Sequence, residues 1–232
     1  MKDGFYGGIY MAIPLEALSF TALNLHTANR STKSLCGIGI LVVENGKTLF
    51  ANYILVKPKT SSFSYEQYGY FKEQDVLIAP TLKEVWPNLL PYIENRNLVF
   101  YDIGKSIQIL SDSLGMFKIP MPNFNAVDIC DMFYENHYGY SYAALAHDVG
   151  YSENFQKGNV YDNLNLYKAV IEYGAKRGSR VLRKEFGIKE VQVKQSPVIN
   201  ETVITENNGC VGCFGCLIPA LCMLFIIILI LI

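Results

Sequence analysis

Three apolar runs open the chain. Leu18 to Leu25, Gly37 to Glu44 and Thr48 to Val56 are rich in Leu, Ile, Val and Phe, and the last two flank Asn45-Gly46. Asn-Gly supplies the two left-handed residues that a tight hairpin turn needs, so the pattern predicts three strands, antiparallel at least in the hairpin. Lys57 to Pro80 mixes Ser, Thr, Tyr and Lys without a period and reads as a loop. From Thr81 the period becomes helical. Leu82, Val85, Leu89 and Leu90 share one face of a helix that Thr81 can cap and that runs to about Ile93, with Pro87 in its middle.

The second half alternates strand and helix. Asn97 to Tyr101 (NLVFY) is continuously apolar, as a strand buried on both faces should be. Gly104 to Gly115 follows at helical period, with Ile107, Leu110 and Leu114 on one side. Asn125 to Ile129 is a further strand candidate, and Ser141 caps a helix reaching Val149 that Gly150 ends. Tyr161 to Arg177 is a long amphipathic helix with Leu164, Tyr167, Val170 and Ile171 facing inward. This order, β-β-β-α-β-α-β-α-α, predicts an α/β domain with a mixed five-stranded sheet flanked by helices. The predicted organisation is an extension over 1–18, the domain over 19–178, a linker over 179–208 with one short helix around Arg180 to Phe186, and a terminal segment over 209–232.

Chemistry enters at the first strand. Phe20 to Asn29 reads FTALNLHTAN, and period two places Asn24 and His26 on one face of an otherwise apolar strand. A polar pair at the end of a buried strand is a common way to build a site. His26 also fits a hydrogen-bonded, partly buried imidazole with no role in catalysis.

Charge and composition narrow the class. The 232 residues carry a net charge of −1, so no bulk attraction to nucleic acid or membrane is implied. Lys168 to Lys194, however, holds eight Lys/Arg against three Glu, and no basic residue follows it. That stretch can be a solvated helix face, a phosphate-contacting surface or a surface for anionic lipid headgroups. Cys36 and Cys130 sit in apolar contexts and read as buried free thiols, and no secretory signal is visible.

The terminal segment is different in kind. No charge occurs from Asn207 onward, and Leu217 to Ile232 is apolar apart from Pro219 and Cys222. As a helix those residues would extend roughly 24 Å at about 1.5 Å per residue, short for a bilayer core of about 30 Å but able to span with slight thinning. A single-pass C-terminal membrane anchor with the globular domain in the cytoplasm is the expectation; a buried core helix, a re-entrant segment and a cleaved lipid-anchor signal are the alternatives. Cys210, Cys213 and Cys216 form a CxxCxxC run just before it. They are small residues at a membrane interface, acylation sites, or thiolates for a metal that lacks a good fourth ligand.

Several stretches carry a family likeness. FTALNLHTANRS, the hairpin CGIGILVVENGK, APTLKEVWPNLLPYI, NLVFYDIGKSIQIL, MPNFNAVDICDMF, SYAALAHDVGYS and KGNVYDNLNLYKAV occur in that order. Over about Ser19 to Arg177 the chain resembles the DnaQ-like 3′–5′ exonucleases, the group that includes the DNA polymerase III epsilon subunit and ribonuclease T. The resemblance implies a ribonuclease H-like exonuclease fold. It also implies four carboxylates that hold two divalent metals, which clamp the scissile phosphate and generate the attacking hydroxide, with a His as general base.

Matching the motifs position by position shows what has been lost. Where the family's first motif, close to FVAIDFETANRS, has Asp and Glu, this chain has Asn24 and His26. The second-motif Asp, placed by NLVVAHNASFD ten residues after Asn97, falls at Ile107. The third-motif Asp is matched by Asp162, and the general-base His falls at Lys157. One carboxylate of four remains, and Asp162 equally fits a helix N-terminal carboxylate favoured by the dipole. A rebuilt centre of N and O ligands from Asn24, His26, Asp102 and Asp162 would suit Zn²⁺ or Mn²⁺. The expectation is therefore a membrane-anchored, catalytically inactive exonuclease-fold protein that acts as a binding or scaffold module, with no cofactor. The alternative is an active or metal-altered 3′–5′ exonuclease on single-stranded nucleic acid, using Mg²⁺ or Mn²⁺.

Overall fold

A computed structural model of the protein describes residues 11–59, 62–64, 71–132, 141–152 and 159–189. Lys157, the CxxCxxC run and Leu217 to Ile232 lie outside the described residues. Five strands form one mixed sheet: β1 (Phe20–Thr27), β2 (Leu35–Glu44), β3 (Lys47–Leu55), β4 (Asn97–Phe100) and β5 (Asn125–Asp128), in the spatial order β3-β2-β1-β4-β5. β1, β2 and β3 are antiparallel neighbours, whereas β4 runs parallel to both β1 and β5. The hairpin turn is Asn45-Gly46, with φ of 49° and 74°, the left-handed pair expected of that dipeptide.

Helices cover both faces. α2 (Leu82–Leu89) and α3 (Ile103–Met116) pack Leu82, Trp86, Leu89, Leu110 and Leu114 against Leu23, Ile38, Ile40, Leu98 and Phe100. α4 (Tyr142–Asp148), α5 (Val160–Lys176) and α6 (Arg180–Glu185) cover the other face, where Leu145, Leu164, Tyr167, Val170 and Leu182 meet Phe20, Ala22, Leu41, Val43 and Val99. β2 is an interior strand covered on both sides, which explains its unbroken apolar run. β3 is an edge strand and largely exposed.

Three expectations need correction. The stretch read as loop contains α1 (Glu73–Ile78), whose buried Val76 packs with Ala28, Cys36 and Phe71 in a small separate cluster; six residues are too few to show a helical period. Met11 to Leu18 is not a bare extension. Ile13 and Leu18 are buried in the main core, and the Ile13 N–H donates to the Ala175 carbonyl at 2.8 Å. α6 is not linker either, because Leu182 is fully buried and Phe186 and Ile188 pack on the same cluster; the compact unit extends to Val191.

The helix from Thr81 starts as expected, with Glu84 Oε2 accepting from the Thr81 N–H at 2.7 Å, and passes into a 3-10 turn over Leu90–Tyr92 soon after Pro87. Among the described residues no helix is long and apolar enough to cross a membrane.

Candidate functional site

The far ends of β1 and β4 open onto a cleft of about 230 Å³ between α3 and the α4–α5 side of the sheet. It is lined by Asn24, Tyr101, Asp102, Lys105, Tyr142 and Tyr167, with Ser106, Ile109, Leu23 and Leu25 behind them. A larger hollow of about 650 Å³ lies at the starts of the same strands. There Arg96 and Glu44 neutralise each other at 2.9 Å, and Asn125 donates to Asn97 Oδ1 at 3.1 Å. Of the residues singled out from the sequence, Asn24 and Asp102 line the smaller cleft.

Asn24 is its centre. Strand alternation turns Asn24 toward α5, and only 6% of it is exposed. Its Nδ2 donates to Tyr167 Oη at 2.8 Å and to Tyr142 Oη at 3.3 Å, and the two phenol oxygens are 2.7 Å apart. Asn24 Oδ1 is buried and has no hydrogen-bond partner among the described residues. Rotating the amide by 180° would let Oδ1 accept from the phenols and leave the NH₂ group unpaired instead, so one polar group of this amide is unmatched in either orientation.

Two glycines make room for this arrangement. Gly39 pairs with Asn24 across β1–β2, and a Cβ there would come within 2.6 Å of Val160 Cγ1. Gly37 pairs with His26, and a Cβ there would collide with the Tyr53 ring.

Aromatic rings continue the wall. Tyr101 stacks on Tyr142 with centroids 4.1 Å apart, and Tyr142 lies parallel to Tyr167 at 6.2 Å. Burial pushes the Tyr167 phenol well above its ordinary range. It pushes Tyr101 up to about 12, with the nearby Cys130, Asp128 and Asp102 adding to the effect. Both phenols are therefore protonated at neutral pH. They are hydrogen-bond donors and acceptors, not anionic ligands.

The other sequence-derived positions scatter around the cleft. His26 is half-buried, its Nδ1 2.9 Å from Tyr53 Oη, and burial lowers its pKa to about 4, so it is neutral at pH 7. Asp102 does reach the cleft, but it is also the N-cap of α3: its Oδ1 accepts from the Lys105 N–H at 3.0 Å. Ile107 does not line the cleft; it packs with Leu110 and Leu114 on the core, and Ser106 takes the cleft-facing position. Asp162 is half-buried in the first turn of α5, outside the cleft lining, where its charge helps raise the Tyr151 phenol beyond the effect of burial.

Sequence reasoning missed four contributors: Tyr101, Tyr142, Tyr167 as a polar group, and Asp128. Asp128 ends β5 and accepts from the N–H groups of Ile103 and Cys130, which fixes the start of α3; burial raises its pKa. Tyr167 was visible only as a core residue, since its helical spacing matches Leu164, Val170 and Ile171. The signal for its second role is the pairing of one buried hydroxyl with one buried amide.

The donor set decides what the cleft can hold. Two Mg²⁺ ions require several anionic oxygens. Here the central groups are a neutral amide and protonated phenols, and Asp102 is a single carboxylate already engaged by backbone. Among the described residues no group of three or more His, Cys, Asp or Glu is placed to hold a metal ion. These residues do not fit a two-metal centre.

No family model and no curated protein matches the chain. Solved structures do. The nuclease domain of 3′hExo, a DEDDh family member, bound to rAMP, is similar with a TM-score of 0.55 at 9% identity, over 66% of this chain and 88% of that one. Exonuclease X in complex with 5′ overhanging duplex DNA is similar with a TM-score of 0.49 at 14% identity, over 70% of this chain and 99% of that one. At such identities the likeness speaks for architecture alone: this chain has the fold of exonuclease domains, a mixed five-stranded sheet flanked by helices.

Proposed function

We propose that the protein is a degenerate DnaQ-like exonuclease, tethered to a membrane by Leu217 to Ile232, which binds at its cleft without cutting. The observation that carries this reading is the cluster of Asn24, Tyr142 and Tyr167, in which a neutral, hydrogen-bonded set stands where the resemblance puts metal-binding acids. A metal that polarises phosphate needs a compensating negative cage, and this cluster offers none.

The cleft suits the end of a single-stranded nucleic acid. The stacked Tyr101–Tyr142 pair offers an aromatic wall for a base, and Lys105 offers a cation for phosphate. The rAMP held by the structurally similar 3′hExo domain agrees with a nucleotide-sized ligand. A metal-altered nuclease is the second reading, and its support is Asp102 in the same cleft as Asn24.

Calorimetric titration of the full chain in detergent with Mg²⁺ or Mn²⁺ separates the two. The proposal expects no saturable heat. Saturable heat that disappears in Asp102→Ala or Asp162→Ala would favour the nuclease.

A further inference from the structure

The larger hollow, at the starts of the parallel strands, has a chemistry that the sequence writes twice. Asn95-Arg96-Asn97 leads into β4, and Asn123-Phe124-Asn125 leads into β5. The parallel register sets Asn97 beside Asn125, so the two N-x-N stretches lie next to each other. Asn125 Nδ2 donates to Asn97 Oδ1 at 3.1 Å, and Asn123 Nδ2 donates to Asn95 Oδ1 at 3.4 Å. The main chain ties the same stretches together. The Asn95 N–H donates to the Asn123 carbonyl at 2.6 Å, and the Asn125 N–H to the Arg96 carbonyl at 2.9 Å. Asn95, Asn97, Asn123 and Asn125 therefore form a two-by-two array of amides, and all of them line the hollow.

The array has hydrogen-bonding capacity left over. Each side-chain amide offers an acceptor oxygen and two N–H donors. Asn97 Nδ2 is used by the Ser19 carbonyl at 3.4 Å, and Asn125 Nδ2 also reaches the Glu185 carbonyl at 2.7 Å. Among the described residues, Asn123 Oδ1, Asn125 Oδ1 and Asn95 Nδ2 make no hydrogen bond, and these three side chains are exposed. The charges of the lining cancel, because Arg96 and Glu44 pair at 2.9 Å. Exposed Glu16 and Glu94, close in sequence to Ser19 and Asn95, disfavour a phosphate further. Phe124 turns to the core ring of Phe100, with centroids 6.4 Å apart, and every other lining side chain is polar. An apolar ligand has no wall to lie on, and an ion has no unpaired counter-charge in the lining.

We infer that this hollow binds an extended, uncharged peptide segment of a partner protein through its main chain. Chemistry is the first reason. A side-chain amide is a copy of the peptide group, so one Asn can meet a main-chain N–H and C=O together. Two unused acceptors and one unused donor suit successive N–H and C=O groups of such a chain. Spacing is the second. Asn123 and Asn125 are two residues apart, which separates them by up to about 7 Å. An extended peptide turns its main-chain groups to one side every second residue, a repeat of about 6.6–6.8 Å. Size is the third: about 650 Å³ falls inside the range of about 300–1,000 Å³ typical of ligand sites. Recognition of this kind selects extended conformation and the absence of charge, with main-chain hydrogen bonds supplying the affinity. The inference rests neither on the reading of the cleft nor on the tether.

Saturation-transfer NMR on the full chain in detergent tests it, with the capped hexapeptide acetyl-Thr-Ser-Thr-Ser-Thr-Ser-amide as the probe. Saturable transfer to the peptide is expected, and none from empty micelles. The same peptide with alternate amides N-methylated keeps its side chains but loses the N–H donors of one side. Its binding should fall about tenfold or more, as the loss of two ordinary hydrogen bonds implies. Asn95→Gly/Asn123→Ala should weaken binding by a similar factor. Glycine keeps the left-handed backbone of position 95, where φ is 58°, and both side chains are exposed, so the melting temperature of this variant should match the parent. No saturable transfer from the parent chain overturns the inference. Equal binding of the N-methylated peptide, or parent-like binding in the folded double variant, also overturns it. Transfer to maltohexaose that disappears in the double variant, with none to the peptide, overturns it in favour of a saccharide. None of these outcomes bears on the cleft, which metal titration tests separately.

Discussion

Asn24 is stable in its place because two phenols surround it. Tyr167 Oη is wholly buried and has the shorter contact to the amide, 2.8 Å, whereas Tyr142 Oη stands 3.3 Å away on a partly buried pair. Tyr167→Phe leaves a buried amide hydrogen unmatched and is expected to cost about 1–3 kcal/mol of unfolding free energy. Tyr142→Phe keeps the Asn24–Tyr167 bond and should cost less, about 0.5–1.5 kcal/mol. Chemical denaturation checks the order, and a larger loss in Tyr142→Phe would contradict it. His26 gives a pH signature. Its folded pKa of about 4 lies below the unfolded value of 6.5, so between those values the unfolded chain binds more protons. Stability contributed by neutral His26 is complete above about pH 6.5 and is lost as pH falls toward 4, up to roughly 3 kcal/mol. Unfolding free energies measured from pH 7 to 4 should decline less steeply in His26→Gln; an unchanged slope would show that other groups set it. Asn24 and His26 were legible as a polar pair because strand alternation is strict. Their partners were not, since Tyr53, Tyr142 and Tyr167 come from other elements and no local pattern links them.

At the scale of elements, β1, β2 and α5 set the cleft by close approach. Gly39 lets the first turn of α5 sit against the sheet beside Asn24, with Val160 Cγ1 only 2.6 Å from where a Cβ would be. Valine is stiff at χ1, so relief must come from moving the helix. Gly39→Ala is expected to destabilise by about 1–3 kcal/mol and to disturb the Asn24–Tyr167 contact. The checks are a lowered melting temperature and a changed near-ultraviolet tyrosine signal. A variant as stable as the parent, with an unaltered signal, would mean that α5 is less closely fitted. Long periodic elements such as α5 and the Asn-Gly hairpin were readable because their patterns repeat over many residues. α1 was not, with six residues and one buried side chain. α6 was readable as a helix but not as core, because it is six residues long and buries only Leu182 and Arg183, too few to show an apolar face. Ile107 shows the limit of matching positions by spacing, since a shift of one residue moves the cleft-facing role on α3 to Ser106.

At the scale of the molecule, the sheet order and its helical cover are those of exonuclease domains, and the strand ends still form a cleft. The frame survives because apolar periodicity builds it. Side chains that would serve a reaction at the strand ends contribute little to this frame, so the architecture does not depend on which of them are acids. The central claim is that this cleft does not cleave. The most direct measurement incubates the full chain, in detergent, with 5′-labelled single-stranded DNA and RNA in Mg²⁺ or Mn²⁺ and resolves the products by length. The account expects no shortening above the protein-free control and no difference between the parent and Asp162→Ala. Metal-dependent shortening from the 3′ end that disappears in Asp162→Ala would contradict it.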